Sequence, residues 1–560
     1  MLQHHRARSR QRAMATSERD ADARGARERA DDDDPSSSVS ASARASCAPL
    51  SGVVAFNERL REVFGWQLLA FVFSADFFVK GAVKHMISTT SLPYAQQYLK
   101  FSAQAFQRFE VLVSFPWMVK PFIGMVTDTT PVFGYRKRYY LATFAVTGLV
   151  SIVVLATKTF SPDDATSYTA FVLTTNMLLA FGDSLAGARV FEAMSEVQRI
   201  GGDLMTWSWS VATVGSVIGT LLAYIGLSRG DYKLIFWFAT PFVAQFAFTT
   251  ACGLLPEERV GSDFNAHALA KKHWNVFVVT IAITLASVGV VGMQLVDAFE
   301  TDLALCIATC FGILLIITGV LYAHLERNAA HLLIYLVVDR VLGVNVRQAK
   351  TYWYTEGSKC VPDGPHFSYV FYSVTTFLFS LGAQMIGIWL FQKYLSRSKI
   401  RSVFLACALT KVIAKLGDIW IILRWNIAMG IDDRSAYVMG EGIIEGIAFV
   451  LTYMPATAVL SKIVDKDVSC TMYTLLAGVV NIASGVALTL GSASMTFVGI
   501  HTDLVHGHCN FDQLIPLLVV SGIILPLLSI PLIYVLIPDW FMHDDRSGSI
   551  EESVKAEEKK

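Results

Sequence analysis

From Phe64 to Ile537 the chain is a succession of long uncharged runs, each close to the 20 or so residues that an α-helix needs to cross a bilayer. A backbone in lipid must satisfy its own hydrogen bonds, so recurrent runs of this length read as spanning helices. Composition agrees. Hydrophobic residues make up 53% of the chain and charged residues only 16%, where a soluble domain carries roughly a quarter. The expected fold class is an all-α polytopic membrane protein. The formal net charge of zero says nothing about partners, because the charges are sorted by loop.

Met1 to Ala48 is different. It is rich in Arg, Ala, Ser and Asp, with an acidic run at Asp31 to Asp34 and almost no large apolar residues. Such a segment cannot bury enough surface to fold alone, and residues 1–60 are expected to be a disordered cytosolic tail. Beyond it, crossings are expected near 66–84, 103–126, 138–157, 168–188, 205–227 and 233–254. A polar loop from Pro256 to Lys272 follows, then 274–297, 302–324, 329–348, 367–392, 403–424, 437–460, 470–492 and 514–537. That makes fourteen, of which 329–348 is interrupted by Asp339 and Arg340. The positive-inside rule tests the number. With the tail inside, fourteen crossings put the basic loop Lys393 to Arg401, the link Lys462 to Lys466 and the C-terminal lysines inside. Thirteen would put all three outside. Twelve, with 274–324 not crossing as a pair, remains the alternative.

Between the second and third runs stands Lys120-Pro-Phe-Ile-Gly-Met-Val-Thr-Asp128, followed by Gly134-Tyr-Arg-Lys-Arg-Tyr-Tyr140. Charges at a bilayer boundary are tolerated where they face water, and the basic excess puts this loop on the cytoplasmic side. Lys-Pro-x-x-Gly-x-x-x-Asp and then Pro-x-x-Gly-Tyr-Arg-x-Arg-x-Tyr-Leu resembles the signature of the folate-biopterin transporter family, within the major facilitator superfamily. The resemblance extends from Phe64 to Pro538: Asp183, Ala188 and Glu192, Trp207 to Gly215, Gly364 to Tyr372, Arg424-x-Asn426-x-x-x-Gly430-Ile431-x-Asp433, Met454-Pro455 and Asn481. Gly364 to Tyr372 looks like the opening of a second-bundle helix in protozoan members of the family. Gly187 and Ser469 stand where the family has carboxylates.

The resemblance implies a major facilitator fold of two six-helix bundles, here with two extra helices between them. The bundles would be residues 61–255 and 326–538, joined by a central loop and extra pair at 256–325 and followed by a cytosolic tail, 539–560. The basic loop at 393–401 echoes Arg136 to Arg138, as expected of parallel repeats. The family implies transport of folates and pterins, expected here as proton symport by alternating access; the alternatives are a transporter of S-adenosylmethionine, which some members carry, or of another small organic solute, and a nontransporting receptor on the same fold. The expected partners are a small folate- or pterin-class substrate, protons and the lipid bilayer, with no nucleic acid and no cofactor. The plasma membrane is the expected location.

Ionisable residues inside spanning helices are costly and mark pairs or functional sites. Asp76 and Lys80 share a face of the first helix, and Asp183, Arg189 and Glu192 close the fourth. Lys411, Lys415 and Asp418 share a helix ending at Arg424-Trp-Asn426, and Glu441 and Glu445 form an i, i+4 pair. A folate needs cations for two carboxylates and an aromatic for its flat ring. The expected binding residues are Arg189, Arg424, Asn426 and Asn481, with Trp207 or Trp209 for stacking. Asp183 leads the proton-coupling candidates, with Glu192 and Asp418. Lys120, Asp128, Arg136, Lys137 and Arg138 form the expected gate, with Asp128 and Arg138 pairing across helix ends in the outward-facing state. Cys360 and Cys509 fall in loops placed outside, where a disulfide is permitted, and His501, His506 and His508 share the second loop. A filter segment, an HExxH or other catalytic constellation and a phosphate-cradling Gly-Lys-Ser/Thr loop are not found, which disfavours a channel, an enzyme or an ATP-driven pump.

Overall fold

The computed structural model describes residues 48–261, 264–395, 398–451, 469–537 and 539. The readings made of Met1 to Cys47, of Met454-Pro455, of the link Lys462 to Lys466 and of the C-terminal lysines lie outside the described residues. The chain divides into Met1–Trp66 and Gln67–Lys560. In the first unit, α1 (Ala48–Phe64) occupies the end of the stretch expected to be disordered. The reason is local: Val53, Val54, Phe56 and Leu60 recur at helical spacing among Asn57, Glu58, Arg59 and Arg61.

The second unit is built from helices. In the first half these are α2 (Trp66–Gln97), α3 (Ala103–Val113), α4 (Phe115–Met118), α5 (Lys120–Thr129), α6 (Arg138–Thr157), α7 (Ala165–Glu196), α8 (Gln198–Arg229) and α9 (Tyr232–Ala251). The pieces α3, α4 and α5 form one broken rod. Pro116 and Pro121 stand in the first turns of α4 and α5, where a missing N–H is harmless but an uninterrupted helix could not run through. Helix α2 widens to a π-helix at Ser74–Val83 and packs there on α8. The approach is backbone to backbone: a Cβ on Gly215 would lie 2.1 Å from the Phe77 carbonyl oxygen, and one on Gly219 2.3 Å from that of Ala82. Gly-x-x-x-Gly on α8 permits this contact.

The helices α10 (Trp274–Met293) and α11 (Leu303–His324) pack on each other. The second half comprises α12 (Arg327–Leu342), α13 (Arg347–Thr355), α14 (Val370–Leu395), α15 (Ile400–Ile422), α16 (433–451), α17 (Ser469–Phe497) and α18 (Leu514–Leu536). Helices α12 and α13 form a bent pair, turned by 42° at residues 343–346. One core joins the extra pair to the second half: Val279, Ile283, Cys306 and Cys310 lie with Leu333, Val337, Val479 and Ile482.

Each of the fourteen expected intervals is helical over most of its described residues, in one piece or several. By length and apolarity, ten helices among the described residues qualify as spans, or eleven with the bent pair counted as one. The difference has physical causes. The rod α3–α5 is broken, α15 carries Lys411, Lys415 and Asp418, and α16 is described only to Leu451. Beyond α17 a two-stranded hairpin, β1 (His501–Asp503) and β2 (His508–Asn510), leads to α18. Cys509 on β2 is disulfide-bonded to Cys360 in the loop after α13, with Cα atoms 5.0 Å apart.

Candidate functional site

In the first bundle one carboxylate gathers two lysines. Asp183 on α7 lies 2.9 Å from Lys80 on α2 and 2.5 Å from Lys120 on α5, both buried or nearly so. Two indoles floor the cluster. Lys120 and Lys84 stand 4.3 and 4.7 Å above the Trp117 ring, and Lys80 stands 4.7 Å above Trp209. Cation–π contacts add to the hold on these ammonium groups. Trp117 is itself fixed by a 3.0 Å hydrogen bond from its indole N–H to Asn176 on α7. One turn before Lys80, Asp76 accepts a hydrogen bond from the Ser208 hydroxyl.

The second bundle carries a larger network. Lys350 on α13 donates to Asp418 at 2.8 Å and to both oxygens of Glu441 at 2.8 Å. Lys415 lies 3.2 Å from Glu445 and 3.5 Å from Asp418, and the Tyr354 hydroxyl donates to Asp418 at 3.3 Å. Asp418, Glu441 and Glu445 bring carboxylate oxygens within 4.8 Å of one another. By residue type the trio could hold a divalent cation, but Lys350 and Lys415 already neutralise it. Lys411 pairs with Asp339 at 2.6 Å. Buried charges arranged this way are stable as a set, and removing one partner strands the others.

The two bundles meet along α3–α5 and α17. At one end Gln104 donates to the Ile500 carbonyl at 2.6 Å, and the Ala103 N–H to Thr502 at 2.7 Å. Midway, Gln107 donates to the carbonyls of Asn345 and Leu488 at 2.7 Å, and Asn481 to that of Trp117 at 2.8 Å. At the other end Asp128 accepts from the Thr471 N–H at 3.1 Å and its hydroxyl at 2.8 Å, capping the first turn of α17. Small residues let the rods touch: a Cβ on Gly478 would lie 2.4 Å from Pro121. At the disulfide-bearing end Gln96 donates to Thr355 at 3.1 Å, and the Tyr352 hydroxyl to the Phe101 carbonyl at 2.8 Å. Above them opens a pocket of about 360 Å³ lined by Gln96, Lys100, Glu356, Phe367 and Tyr369.

The residues singled out from the sequence separate into three groups. Asp183 and Lys120 belong together at the first cluster, so Lys120 is part of a buried network rather than of the cytoplasmic gate. Asp128 sits at the seam as a gate residue would, but its partner is Thr471 and not Arg138. Arg138 lies over the Tyr135 ring at 5.4 Å, because the first turn of α6 is held by Glu257, which accepts the backbone N–H groups of Arg136, Lys137 and Arg138 at 2.8, 2.9 and 3.1 Å. Lys137 pairs with Glu192 at 2.7 Å, and Arg189 donates to the Pro256 carbonyl at 2.9 Å. Arg189 and Glu192 thus tie α7 to α6 and to the loop after α9, away from Asp183. Arg424 and Asn426 form a turn between α15 and α16. The guanidinium makes a two-pronged pair with Asp433 at 2.9 and 3.0 Å, and Asn426 adds 2.8 Å, so this motif closes its own turn instead of presenting a fork to a ligand. Asp418 lies in the second network and Asn481 on the seam. Trp207 is half-buried beside Ser208, and Trp209 is the indole that meets Lys80. His506 pairs with Asp503 at 2.7 Å on the hairpin, and Cys509 is engaged in the disulfide.

Three participants were not singled out: Lys84, Trp117 and Lys350. Asp76, Lys80 and Lys84 form an i, i+4, i+8 stripe, a signal that would have found Lys84. Nothing local marks Lys350, which sits in a polar piece beyond a helix break.

Comparison with known proteins fits this geometry. The BT1 family model matches residues 80–556. The chain belongs to the BT1 family. It is 24% identical over 465 residues to a folate-biopterin transporter of Synechocystis, covering 82% of this chain and 80% of that protein. It is 28% identical over 218 residues to probable folate-biopterin transporter 4 of Arabidopsis thaliana, covering 38% of this chain and 42% of the relative. Among solved structures it resembles the POT family transporter PepTSo, with a TM-score of 0.59 at 8% identity over 84% of this chain and 98% of that one. An auto-inhibited POT family peptide transporter gives 0.57 at 12% identity, over 85% and 98%. The fold is thus that of major facilitator transporters, and this BT1 protein is a multi-pass integral membrane transporter of a small molecule, not an enzyme.

Proposed function

We propose that this chain carries a folate- or pterin-class substrate across its membrane, coupled to protons, by rocking of the two bundles about the seam. The family membership and the names of its relatives support the substrate class. The observation that carries the mechanism is Asp183 clasped between Lys80 and Lys120 above two indoles. An ionised Asp183 holds both lysines. A proton on Asp183 releases them, and the positive charge so uncovered beside Lys84 draws a substrate carboxylate into the cluster, while Trp117 or Trp209 offers a face to a flat ring. Substrate and proton thereby bind together, and deprotonation on the other side restores the clasp and expels the anion. Asp418 is placed by the same logic in a second clasp, with Lys350.

The seam divides the roles. Asp128–Thr471 closes the cytoplasmic end, and Gln104–Ile500 with Gln96–Thr355 closes the other, so each cycle must break one set. For location we propose the plasma membrane, supported by a disulfide on the face opposite the basic loops, where an oxidising exterior maintains it. The experiment is uptake of labelled folate, biopterin and S-adenosylmethionine by cells expressing the chain, at outside pH 5.5 and 7.5. Faster uptake of either pteridine at the lower pH is expected. Uptake of S-adenosylmethionine alone would reassign the substrate, and pH-independent pteridine uptake would remove the proton.

A further inference from the structure

We propose that the central cavity is built for a substrate with two anionic groups, and that Lys84 and Arg347 each take one of them. This deepens the pteridine reading above, on which it rests for the scaffold of the substrate, and it selects glutamate-bearing folates over uncharged pterins.

The two bundles share a repeated arrangement. The first rod of each bundle carries two cations one turn apart: Lys80 and Lys84 on α2, Lys350 and Arg347 on α13. In each pair one cation is engaged. Lys80 holds Asp183 at 2.9 Å, and Lys350 holds Asp418 and Glu441 at 2.8 Å. The other is not. Among the described residues neither the Lys84 ammonium nor the Arg347 guanidinium has an ion pair within 4.0 Å. Both side chains are exposed.

Their exposure is to the interior of the molecule. Lys84 lies 4.7 Å above Trp117, whose carbonyl receives Asn481 from the other bundle. Arg347 opens α13 where Gln107 of the first bundle bonds the Asn345 carbonyl, and it feels Glu110 on α3, Tyr372 on α14 and Glu441 and Glu445 on α16. Measured from the Gln96–Thr355 contact, Lys84 is twelve residues along its helix and Arg347 eight, about 18 and 12 Å of helical rise. A cation so deep and still exposed must face a water-filled cavity, because lipid there would cost several kcal/mol.

The two positions also share a wall. Lys84 lies over Trp117 on α4, and Arg347 stands two residues beyond Asn345, whose carbonyl accepts a hydrogen bond from Gln107 on α3, so both cations border the broken rod α3–α5. The carboxylates around Arg347 do not cancel its charge locally. Glu441 and Glu445 are held by Lys350 and Lys415, and Glu110 acts on it without closing to ion-pair distance. A ligand with two carboxylates would neutralise both open cations. One with none would leave them as they are.

The test measures thermal stabilisation of the purified full chain by three compounds. Folate has the pteridine and two carboxylates, p-aminobenzoylglutamate has the two carboxylates without the pteridine, and biopterin has neither carboxylate. Folate and p-aminobenzoylglutamate are expected to stabilise the protein and to compete. Lys84→Gln and Arg347→Gln should each weaken both by roughly ten- to a hundredfold, leaving biopterin unchanged, and Lys84→Arg should restore most of the affinity. Should Lys84→Gln or Arg347→Gln not yield folded protein, Lys84→Arg and Arg347→Lys keep the charge and change the donor geometry. A drop in folate affinity for Arg347→Lys, with biopterin unaffected, then supports the assignment. Equal weakening of all three compounds, or tighter binding of biopterin than of folate to the wild type, overturns it. If the wild type binds no pteridine, the reading of the substrate fails. Charge-dependent binding of p-aminobenzoylglutamate would then still uphold the two-anion cavity, and its absence would overturn that as well.

Discussion

Asp128→Asn tests whether the Asp128–Thr471 end of the seam is a latch. The carboxylate is 2% exposed and receives two hydrogen bonds from Thr471, at 2.8 and 3.1 Å, across the bundle boundary. Asparagine keeps the shape and one acceptor oxygen but loses the charge. Charge-assisted bonds are about twice as strong as neutral ones, so each of the two loses about 0.5–1 kcal/mol. The attraction of a carboxylate for the N-terminus of α17 is worth about another 0.5–1 kcal/mol. Dehydration of the carboxylate on closure opposes these gains, leaving about 1–2 kcal/mol net in favour of the closed end, a five- to thirtyfold shift in its population when lost. Cys470 reports the change directly, since it is fully buried beside Thr471 when this end is closed. In a protein with Cys47 and Cys252 changed to serine, its alkylation by a membrane-permeant maleimide should accelerate five- to thirtyfold in Asp128→Asn, by the population shift just derived. Thr471→Val removes one bond while leaving the carboxylate beside the thiol, so a smaller acceleration there separates access from any direct effect of charge on the thiol. Wild-type alkylation rates in both variants would refute the latch.

Asp183→Asn fixes that side chain neutral, so exchange of bound substrate should continue in counterflow while accumulation driven by a pH gradient fails; retained accumulation would exclude Asp183 as the coupling group. Lys350→Met strands Asp418 and Glu441 and should cost about 3–5 kcal/mol, seen as a fall in melting temperature that Asp418→Asn partly reverses. Cys360→Ser opens a link across 149 residues and should lower stability by about 2–5 kcal/mol, matching the melting temperature of reduced wild type. Gly215→Leu drives a side chain into the Phe77 carbonyl and should separate α2 from α8, with loss of monodisperse protein on size-exclusion chromatography.

The fold was legible because its determinants are local in sequence. Apolar runs of span length and basic loops of one sidedness decide it, and every expected interval proved helical over most of its described residues. The candidate site was legible only where an unusual residue identifies itself, as Asp183 does inside an apolar helix. Its partners, Lys80 and Lys120, come from two other rods, and no spacing in one dimension says that they converge. Lys350 shows the same limit more sharply, since its three acidic neighbours lie 68 to 95 residues away in sequence. Arg424 erred in the opposite direction. A strong motif with Arg, Asn and Asp looked like a ligand fork, but Asp433 is nine residues on and the turn brings it back to its own arginine. Asp128 was expected to meet Arg138 in the outward-facing state, and its bonds to Thr471 were not foreseen, because the N-terminus of α17, an acceptor's natural target, is distant in sequence.

The most direct test of proton-coupled folate transport uses the purified chain in proteoliposomes with an imposed pH gradient, acid outside. Labelled folate should accumulate above its equilibrium level, and collapse of the gradient by a protonophore should release it. Accumulation that survives the protonophore, or no folate entry at all in vesicles holding folded protein, would contradict the account.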